Sequence, residues 1–336
     1  MKIYENYSLL RHNTFRLDVK TRWFVEYESE SDLQKLLQDE YFFSQTFWHI
    51  GQGSNLLFLN DFGGIIVHSG IKGVETMRED KQHLWLKVGA AEDWDGFVAY
   101  CVEQGWGGLE NLSLIPGEVG SSAVQNIGAY GVEAAERIEE VHAYSLKTGE
   151  KRIFSTDECR YAYRHSIFKE DDHRGLYYIT HVVYRLDKRP TYRLDYGNVA
   201  AALDSKEINL KNVRATIIAI RRSKLPDPDV EGNAGSFFMN PYLCIAHYES
   251  LKKHFPDIPH YPVNDAVIKV PAAWLIEQCG WKGKSWGGAA VSERQPLVLV
   301  NRNHATGQEI AELSEKIRQS VKDTFGVELK TEVNFI

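Results

Sequence analysis

The sequence predicts an α+β protein, in which short strands and helices are mixed along the chain. Runs that alternate apolar and polar residues are typical of strands, and between them lie runs with apolar residues three and four positions apart, as in helices. No strand-helix-strand unit carries a Gly-x-Gly-x-x-Gly motif, so a Rossmann nucleotide site is not expected. The 336 residues are enough for two or three domains, each with its own core.

Periodicity places the elements of the first half of the chain. Strands are predicted at residues 23–27, 64–68 and 84–88. One helix is predicted to begin near Ser31, with Leu33, Leu36 and Leu37 on one face, and a second over residues 92–103, ended by a glycine cluster. Residues 138–155 are predicted to form a β-hairpin with its turn at residues 147–150.

The second half continues the same mixture. A strand is predicted at residues 176–186, and a helix at residues 214–222 has to end before Pro226. The Pro226 and Pro228 pair is the expected domain boundary. Thr306 and Glu309 form a capping box, which predicts a helix with Ile310, Leu313, Ile317, Val321 and Phe325 on its buried face. Residues 327–336 alternate as a terminal strand.

Composition limits the classes of function. A net charge of -7 argues against a general nucleic-acid binder, whose surface would be basic. The four cysteines form no Cys-x-x-Cys pair, so neither a structural zinc site nor a disulfide framework is expected. The first residues lack the apolar core of a signal peptide, and no apolar run is long enough to span a membrane. We therefore expect a cytoplasmic protein without a bound metal.

Two glycine-rich stretches stand out. The first glycine stretch is residues 51–55 (GQGSN), and the second glycine stretch is residues 115–131 (IPGEVGSSAVQNIGAYG). Glycines allow backbone N–H groups to converge on phosphate oxygens without a lysine. Each stretch alone is better explained as a plain loop. Because small polar residues occur in both, the pair favours a diphosphate-containing cofactor.

Three side chains are candidates for chemistry. Ser236 lies between small residues and two phenylalanines, Arg164 lies between aromatic residues, and Glu332 lies on the polar side of the terminal run. A hydroxyl can move a proton, and a guanidinium can hold a carboxylate or a developing enolate. Taken singly, each has an ordinary explanation: a turn before a buried strand, a surface arginine over a tyrosine, and a solvated glutamate.

The ordered set of motifs resembles the UDP-N-acetylenolpyruvoylglucosamine reductase family, which completes UDP-N-acetylmuramate for bacterial peptidoglycan. The resemblance is carried by GQGSNLLF, IPGEVGSSAVQNIGAYG, YRHSIFK, KLPDP, GNAGSFFMNP, AAWLIEQCGWKG, GGAAV and the ending EVNF, and it covers nearly the whole chain. The stretch LDYGNV around Tyr196 is similar to the longer form of the family, in which a tyrosine loop folds over the substrate.

The resemblance implies a two-lobed FAD-binding domain of the p-cresol methylhydroxylase and vanillyl-alcohol oxidase type, followed by a C-terminal α+β substrate domain. The implied ranges are 1–70 and 71–222 for the two lobes and 223–336 for the UDP-sugar domain, with the last strand, about 327–336, returning to the active site. The residues implied to contact FAD are Gly51, Gln52, Gly53, Ser54, Asn55, Pro116, Gly117, Gly120, Ser121, Ser122, Asn126, Gly128, Ala129 and Tyr130.

The resemblance also implies the reaction, in which NADPH reduces the flavin and hydride then passes to the enolpyruvyl ether of the substrate. Ser236 matches the proton donor to the resulting enolate, in a pocket kept dry by flavin and phenylalanine. Arg164 and Glu332 match the residues that stabilise the enolate, and Glu332 has to be protonated or share a proton to do so.

The side chains implied to bind the UDP-sugar are Tyr196, Lys224, Asn240, Lys269 and Gln278. The chain departs from the family pattern at Met239, where a lysine is expected after Ser-Phe-Phe. The implied partners are this small molecule and NADPH, with a monomer and neither nucleic acid nor membrane. Two alternatives remain: an FAD oxidase that shares the flavin domain, and a non-catalytic UDP-sugar-binding protein.

Overall fold

The computed structural model describes residues 1–196, 198–204 and 206–336. These residues form two compact units, each built from three segments of the chain. Unit 1 contains Met1–Tyr7, Thr21–Gln52 and Gly63–Arg221, and unit 2 contains Ser8–Lys20, Gly53–Phe62 and Arg222–Ile336. The last segment of unit 2 begins just before the Pro226 and Pro228 pair. The three-domain division at residues 70 and 222 stays a prediction.

Helices and strands alternate along the chain. The strands are β1 Lys2–Ser8, β2 Lys20–Tyr27, β3 Phe47–Ile50, β4 Leu56–Leu57, β5 Phe62–Ser69, β6 Val74–Glu79, β7 His83–Gly89, β8 Gly128–Ala129, β9 Val132–Glu133, β10 Ile138–Ser145, β11 Lys151–Ser155, β12 Tyr177–Asp187, β13 Gly232–Ser236, β14 Tyr242–Cys244, β15 Tyr261–Asn264, β16 Val267–Lys269, β17 Ser285–Trp286, β18 Ala289–Val291, β19 Val298–Asn301 and β20 Asn334–Phe335. The helices are α1 Glu30–Leu37, α2 Glu40–Phe43, α3 Trp94–Glu103, α4 Val119–Gln125, α5 Val199–Leu203, α6 Leu210–Lys224, α7 Ile245–His254, α8 Ala272–Gln278 and α9 Gly307–Phe325.

Unit 1 is organised around two sheets. One has the strand order β1-β2-β5-β3, with β3 parallel to β5, and the other is the antiparallel sheet β11-β10-β12-β7-β6. Helices α3 and α4 contribute Trp94, Phe97, Val119 and Ala123 to a core shared with the antiparallel sheet. Trp94 is 1% exposed, and its indole N–H donates to the Leu112 carbonyl at 2.9 Å. This core holds the N-terminal end of α4, which lies in the second glycine stretch.

Unit 2 contains the sheets β13-β19-β18-β17 and β14-β16-β15. Helix α9 has the predicted capping box, because Thr306 Oγ1 accepts from the Glu309 N–H at 3.2 Å and Glu309 Oε2 accepts from the Thr306 N–H at 2.8 Å. The predicted apolar face is confirmed: Ile310, Leu313, Ile317, Val321 and Phe325 are each at most 2% exposed. Burial of each such side chain stabilises the fold by roughly 1.5–3 kcal/mol.

Most elements predicted from periodicity are confirmed, with shifted ends. The helix expected from residue 92 begins at Trp94, because Asp93 Oδ1 accepts from the Gly96 N–H at 2.7 Å and caps the first turn. The hairpin is confirmed, with β10 antiparallel to β11. The second glycine stretch is not wholly a loop, since α4 occupies Val119–Gln125.

The prediction of a continuous strand over residues 327–336 is wrong, because only β20 is a strand there. The segment changes partner midway. The Lys330 carbonyl accepts from the Met239 N–H at 2.9 Å, and the Ile336 N–H donates to the Leu57 carbonyl at 2.9 Å. Val327, Leu329 and Val333 are buried as the alternation predicts, whereas Phe335 is 41% exposed.

Among the described residues, every helix is too short or too polar to cross a membrane.

Candidate active site

The two glycine stretches meet inside unit 1. A Cβ atom added to Gly51 would lie 2.9 Å from Glu118 Oε2 and closer still to Ser121 Oγ. Real Cβ atoms essentially never approach other heavy atoms this closely, so a side chain at Gly51 would displace the ends of these two side chains. We call the contact of Gly51, Glu118 and Ser121 the glycine junction. The two stretches predicted to hold a diphosphate are therefore in contact at this point.

Not every N–H group of the second glycine stretch is available to a ligand. The Val119 N–H donates to the Glu92 carbonyl at 3.0 Å, and the Gly120 N–H donates to the Ala90 carbonyl at 2.9 Å. A Cβ on Gly120 would lie 2.9 Å from the Ala90 Cβ. Gly120 therefore allows the close approach of α4 to residues 90–92. The prediction that backbone N–H groups of this stretch are free to bind phosphate oxygens is therefore wrong at Val119 and Gly120.

The first glycine stretch is divided between the units: Gly51 and Gln52 belong to unit 1, and Gly53, Ser54 and Asn55 belong to unit 2. Gly53 has φ +75°, and a Cβ there would overlap the His12 carbonyl. The Asn55 side chain donates to the Glu332 carbonyl at 3.0 Å, and the Asn334 N–H donates to the Asn55 carbonyl at 3.1 Å. Asn55 therefore fixes the C-terminal segment of unit 2.

Asn126, a predicted cofactor contact, is fully buried and holds three segments of unit 1 together. Its Nδ2 donates to Glu133 Oε2 at 2.7 Å and to the Ala162 carbonyl at 2.9 Å, and its Oδ1 accepts from the Ala135 N–H at 3.0 Å. Its φ of +45° is left-handed, a conformation that asparagine tolerates better than most residues. Asn126 thus anchors the tight turn at residues 162–165.

Arg164 projects from that turn. Its φ is +55°, and the turn is closed by the His165 N–H donating to the Ala162 carbonyl at 2.9 Å. Arg164 Nη2 donates to the Gly128 carbonyl at 2.9 Å, and the guanidinium carbon lies 5.2 Å from the Tyr163 ring centroid. Lys169 donates to the Arg164 carbonyl at 2.8 Å. These contacts fix the direction of the guanidinium and place it beside the predicted cofactor contact Gly128.

Arg221, which is not among the site residues predicted from the sequence, lies beside the second glycine stretch. Its Nε donates to the Leu114 carbonyl at 3.3 Å, just before the second glycine stretch. Burial lowers the pKa of its guanidinium; the charges of Tyr130 and Asp95 oppose this, and that of Arg164 adds to it. Arg221, Arg164 and Tyr130 therefore lie within electrostatic reach of one another. The sequence contains one indication that Arg221 faces inward: it follows the buried Val213 and Ile217 at four-residue intervals, on the same side of α6.

Tyr196 lies beside the second glycine stretch. A Cβ on Gly131 would be 3.2 Å from the Tyr196 Cβ, and burial raises the pKa of Tyr130, with the charge of Tyr196 adding to the effect. Asn111 Nδ2 donates to the Tyr130 carbonyl at 2.9 Å and to the Arg193 carbonyl at 2.8 Å, which ties the two segments together. Tyr196 is 55% exposed. Gly197 of the predicted tyrosine loop lies outside the described residues.

Within unit 2, Ser236 and Glu332 lie on adjacent segments. Ser236 ends β13 opposite Val298, and the next residue, Phe237, donates its N–H to the Leu297 carbonyl at 2.7 Å. The Phe237 carbonyl accepts from the Glu332 N–H at 2.8 Å. Because Phe237 is fully buried, this pairing holds the Ser236 and Glu332 backbones in a fixed relation.

An irregularity in β13 lies just before Ser236. The pairing with β19 is interrupted between Asn233 and Ser236, and Gly235 between them has φ +67°. Asn233 Oδ1 accepts from the Gly235 N–H at 2.9 Å, which stabilises the kink. Apart from its two chain neighbours, no heavy atom lies within 4 Å of a Cβ built on Gly235. Glycine is favoured here for its left-handed conformation.

The predicted UDP-binding residues are dispersed in the structure. Asn240 Oδ1 accepts from the Ala272 N–H at 2.9 Å and so satisfies the start of α8, whereas Gln278 is exposed at the other end of that helix, roughly 9 Å away. Lys269 Nζ lies 5.9 Å from the Tyr261 ring centroid. Lys224 is exposed at the end of α6. Asn240 and Lys269 are thus near one end of α8, and Gln278 is not.

Two family models match separate parts of the chain. Residues 21–152 match a family described as an FAD binding domain, and residues 227–336 match the C-terminal domain of UDP-N-acetylenolpyruvoylglucosamine reductase. A crystal structure of UDP-N-acetylenolpyruvylglucosamine reductase from Thermus caldophilus shares the fold, with a TM-score of 0.65 and 20% identity over 99% of this chain and 98% of that chain. The fold class is therefore an FAD-binding domain with a C-terminal α+β domain.

Curated relatives are similar over the whole length. UDP-N-acetylenolpyruvoylglucosamine reductase of Porphyromonas gingivalis is 48% identical and covers 100% of both chains. The enzyme of the same name from Bacteroides fragilis is 48% identical over 99% of both chains, and that of Flavobacterium johnsoniae is 42% identical over 100% of both. The chain belongs to the UDP-N-acetylenolpyruvoylglucosamine reductase family.

Proposed function

We propose that the protein reduces the enolpyruvyl ether of UDP-N-acetylenolpyruvoylglucosamine to UDP-N-acetylmuramate with NADPH, through FAD, in peptidoglycan precursor synthesis. It is thus a UDP-N-acetylmuramate dehydrogenase. The observation that carries the proposal is the pairing of Ser236 with Glu332 through Phe237, in a chain whose family performs this reduction. A protein that only bound a UDP-sugar would have no need of a proton donor held next to a second acid.

The residues proposed to hold FAD lie in the two glycine stretches. At the glycine junction the two stretches meet, and the Gly128 carbonyl accepts a hydrogen bond from Arg164. FAD supplies the transfer of hydride from NADPH to the substrate when it is bound. The protein contributes orientation and electrostatics. Asn126 also ties segments of unit 1 together, and Asn55 also holds the C-terminal segment of unit 2.

Ser236 is proposed to donate the proton that completes the reduction. A serine hydroxyl is a weak acid in water, so the proton has to go to a strongly basic enolate carbon in a poorly solvated place. Phe237 and Phe238, at most 1% exposed, form the apolar support that follows Ser236. The kink at Gly235 sets the course of the backbone that carries the hydroxyl.

Arg164 and Glu332 are proposed to stabilise negative charge on the substrate's carboxylate as the enolate forms. Arg164 is suited to this role because its guanidinium is already held by the Gly128 carbonyl and needs little reordering. Glu332 has to present a proton to a carboxylate, because two anions would repel each other. Loss of one such contact typically costs about 3 kcal/mol of transition-state stabilisation.

The UDP-sugar is proposed to contact Tyr196, Lys224, Asn240, Lys269 and Gln278. A lysine opposite a diphosphate acts as a point charge, and the exposed ring of Tyr196 is suited to cover a ligand. Asn240 is a positioning residue for α8 through Ala272, so its amide nitrogen is the atom available to a ligand. Met239, which stands where a lysine was expected, can make no ionic contact. We also propose that the protein acts as a cytoplasmic monomer, without a membrane or nucleic-acid partner.

The proposal is tested by the absorbance of the purified protein during anaerobic addition of NADPH and then of UDP-N-acetylenolpyruvoylglucosamine. A flavin band that bleaches with NADPH and returns with the substrate supports both half-reactions. A reduced flavin that is reoxidised by oxygen but not by the substrate would favour an oxidase of the same flavin fold. A protein that cannot be loaded with FAD would leave only a UDP-sugar-binding role.

A further inference from the structure

A buried histidine in unit 1 lies between two carboxylates. His68 Nδ1 is 3.1 Å from Glu26 Oε2, and His68 Nε2 is 3.0 Å from Glu118 Oε1, with about 10% of the histidine side chain exposed. Both ring nitrogens can donate at once only when the imidazole is protonated. Burial acts to lower the pKa of His68, but the two carboxylates outweigh burial and raise it. The arrangement is therefore an imidazolium between two anions.

Glu118 connects this histidine to the glycine junction. While Oε1 faces His68, Oε2 is the atom that lies 2.9 Å from the site of a Cβ on Gly51. Glu118 also lies between Gly117 and Gly120, two proposed cofactor contacts. A carboxylate at this place repels a diphosphate unless its charge is neutralised, because like charges in a weakly solvated site interact strongly.

The other titratable groups near His68 do not neutralise Glu118 in its place. Strand β1 provides Lys2, whose Nζ is paired with Glu26 Oε1 at 3.2 Å and with Glu28 Oε1 at 2.7 Å. Strand β3 provides His49, whose pKa burial lowers to about 3, with the charge of His68 adding to the effect, so it is neutral. Burial raises the pKa of the Tyr27 hydroxyl on β2, and it too is neutral. His68 is therefore the cation that faces Glu118 among these groups.

We propose that His68 neutralises Glu118 and so makes the glycine junction able to accept the diphosphate of FAD, which couples cofactor affinity to the protonation of His68. The inference rests on the proposed FAD site and names a positioning residue for it. The pKa of His68 is raised in the folded protein, so its positive charge is present at low pH and is lost as the pH rises through that raised pKa. FAD affinity should fall over the same interval.

The test is the dissociation constant of FAD for the apoprotein, measured by flavin fluorescence between about pH 6 and about pH 9, on either side of the ordinary titration of histidine. We expect FAD to bind about tenfold more weakly at the upper end, a change of about 1.4 kcal/mol. Glu118→Gln removes the repulsion and should bind FAD tightly at every pH. The double variant His68→Gln/Glu118→Gln should behave in the same way.

Glu26→Gln is the matched control, because Glu26 also faces His68 but is not part of the glycine junction. It should keep the pH dependence and move its midpoint to lower pH, since one of the carboxylates that raise the pKa of His68 is gone. If the wild type binds FAD tightly without pH dependence, or if Glu118→Gln titrates like the wild type, the inference is wrong and the FAD site stands. If no FAD binds at any pH, both are wrong.

Discussion

From the glycine junction we predict that Gly51→Ala lowers both the stability of the protein and its affinity for FAD. In Gly51→Ala the new methyl group would be 2.9 Å from Glu118 Oε2 and still closer to Ser121 Oγ, against ordinary van der Waals contacts of 3.4–4 Å. The ends of these two side chains have to turn away, which takes the Glu118 carboxylate from its contact with His68 Nε2, 3.0 Å from Glu118 Oε1. Overpacking of this kind typically costs about 1–3 kcal/mol.

The assay compares the free energy of unfolding in urea and the dissociation constant of FAD for two alanine variants. Gly63→Ala is the control, because no atom lies within 4 Å of a Cβ at Gly63 and its φ is not left-handed. We expect Gly51→Ala to destabilise the protein by about 1–3 kcal/mol and to weaken FAD binding at least about tenfold. Gly63→Ala should change neither quantity by more than about 0.5 kcal/mol.

A double variant identifies the cause. Ser121→Ala removes the oxygen nearest to the new methyl group, so Gly51→Ala/Ser121→Ala should recover part of the lost stability. The two substitutions should therefore be non-additive, as expected for groups in contact. If Gly51→Ala equals Gly63→Ala in both measurements, or if the double variant shows strict additivity, the glycine at this position is not explained by the junction.

Three further predictions concern the proposed chemistry and its support. Ser236→Ala should bind FAD and be reduced by NADPH like the wild type but turn over the substrate at least about 100-fold more slowly, and near-normal turnover in stopped-flow measurements would assign the proton donor elsewhere. Glu332→Gln should impair substrate reduction far more than flavin reduction, and equal effects on the two rates would contradict its role. Asp95 is partly buried; burial acts to raise its pKa, but the hydrogen bonds from Arg214 at 2.6 and 2.9 Å and from the Leu114 N–H outweigh this and lower it. Its stabilising effect is thus present above the ordinary carboxyl pKa of about 4 and is lost as the pH falls through the lowered value. Asp95→Asn should therefore lower the free energy of unfolding by about 1–2 kcal/mol at neutral pH and by less in acid. A loss of stability that does not depend on pH would refute the electrostatic explanation.

Local periodicity predicted much of the fold. The face of α9, its capping box and the β10–β11 hairpin depend on residues within a few positions of each other, so their patterns are visible in the sequence. The terminal segment was misread for a physical reason. Its alternation is real, but residues 327–336 pair first with the chain after Ser236 and then with β4. No local pattern reports a change of partner.

The residues of the candidate site also fall into those that the sequence indicates and those that it does not. Motifs in order along the chain identified Ser236, Arg164 and the glycine stretches, because these residues are recognisable by type and neighbours. They did not identify Arg221 or His68. Both look like ordinary charged residues in the sequence, and only contacts with Leu114 and with Glu118, far along the chain, show that they are buried beside the second glycine stretch. Burial of a charge depends on tertiary partners, which periodicity does not contain.

Hydrogen bonds inside unit 2 link Asn55 to the backbone of Glu332 and of Ser236. Asn55 is a proposed FAD contact, and the same residue donates to the Glu332 carbonyl and accepts from the Asn334 N–H. The Glu332 N–H is in turn held by Phe237, the neighbour of Ser236. A shift of the backbone at Asn55 is therefore transmitted through two hydrogen bonds to both proposed acids. Because these bonds act on both sides of the Glu332 peptide, FAD bound at Asn55 should also help to order the residue proposed to stabilise the enolate.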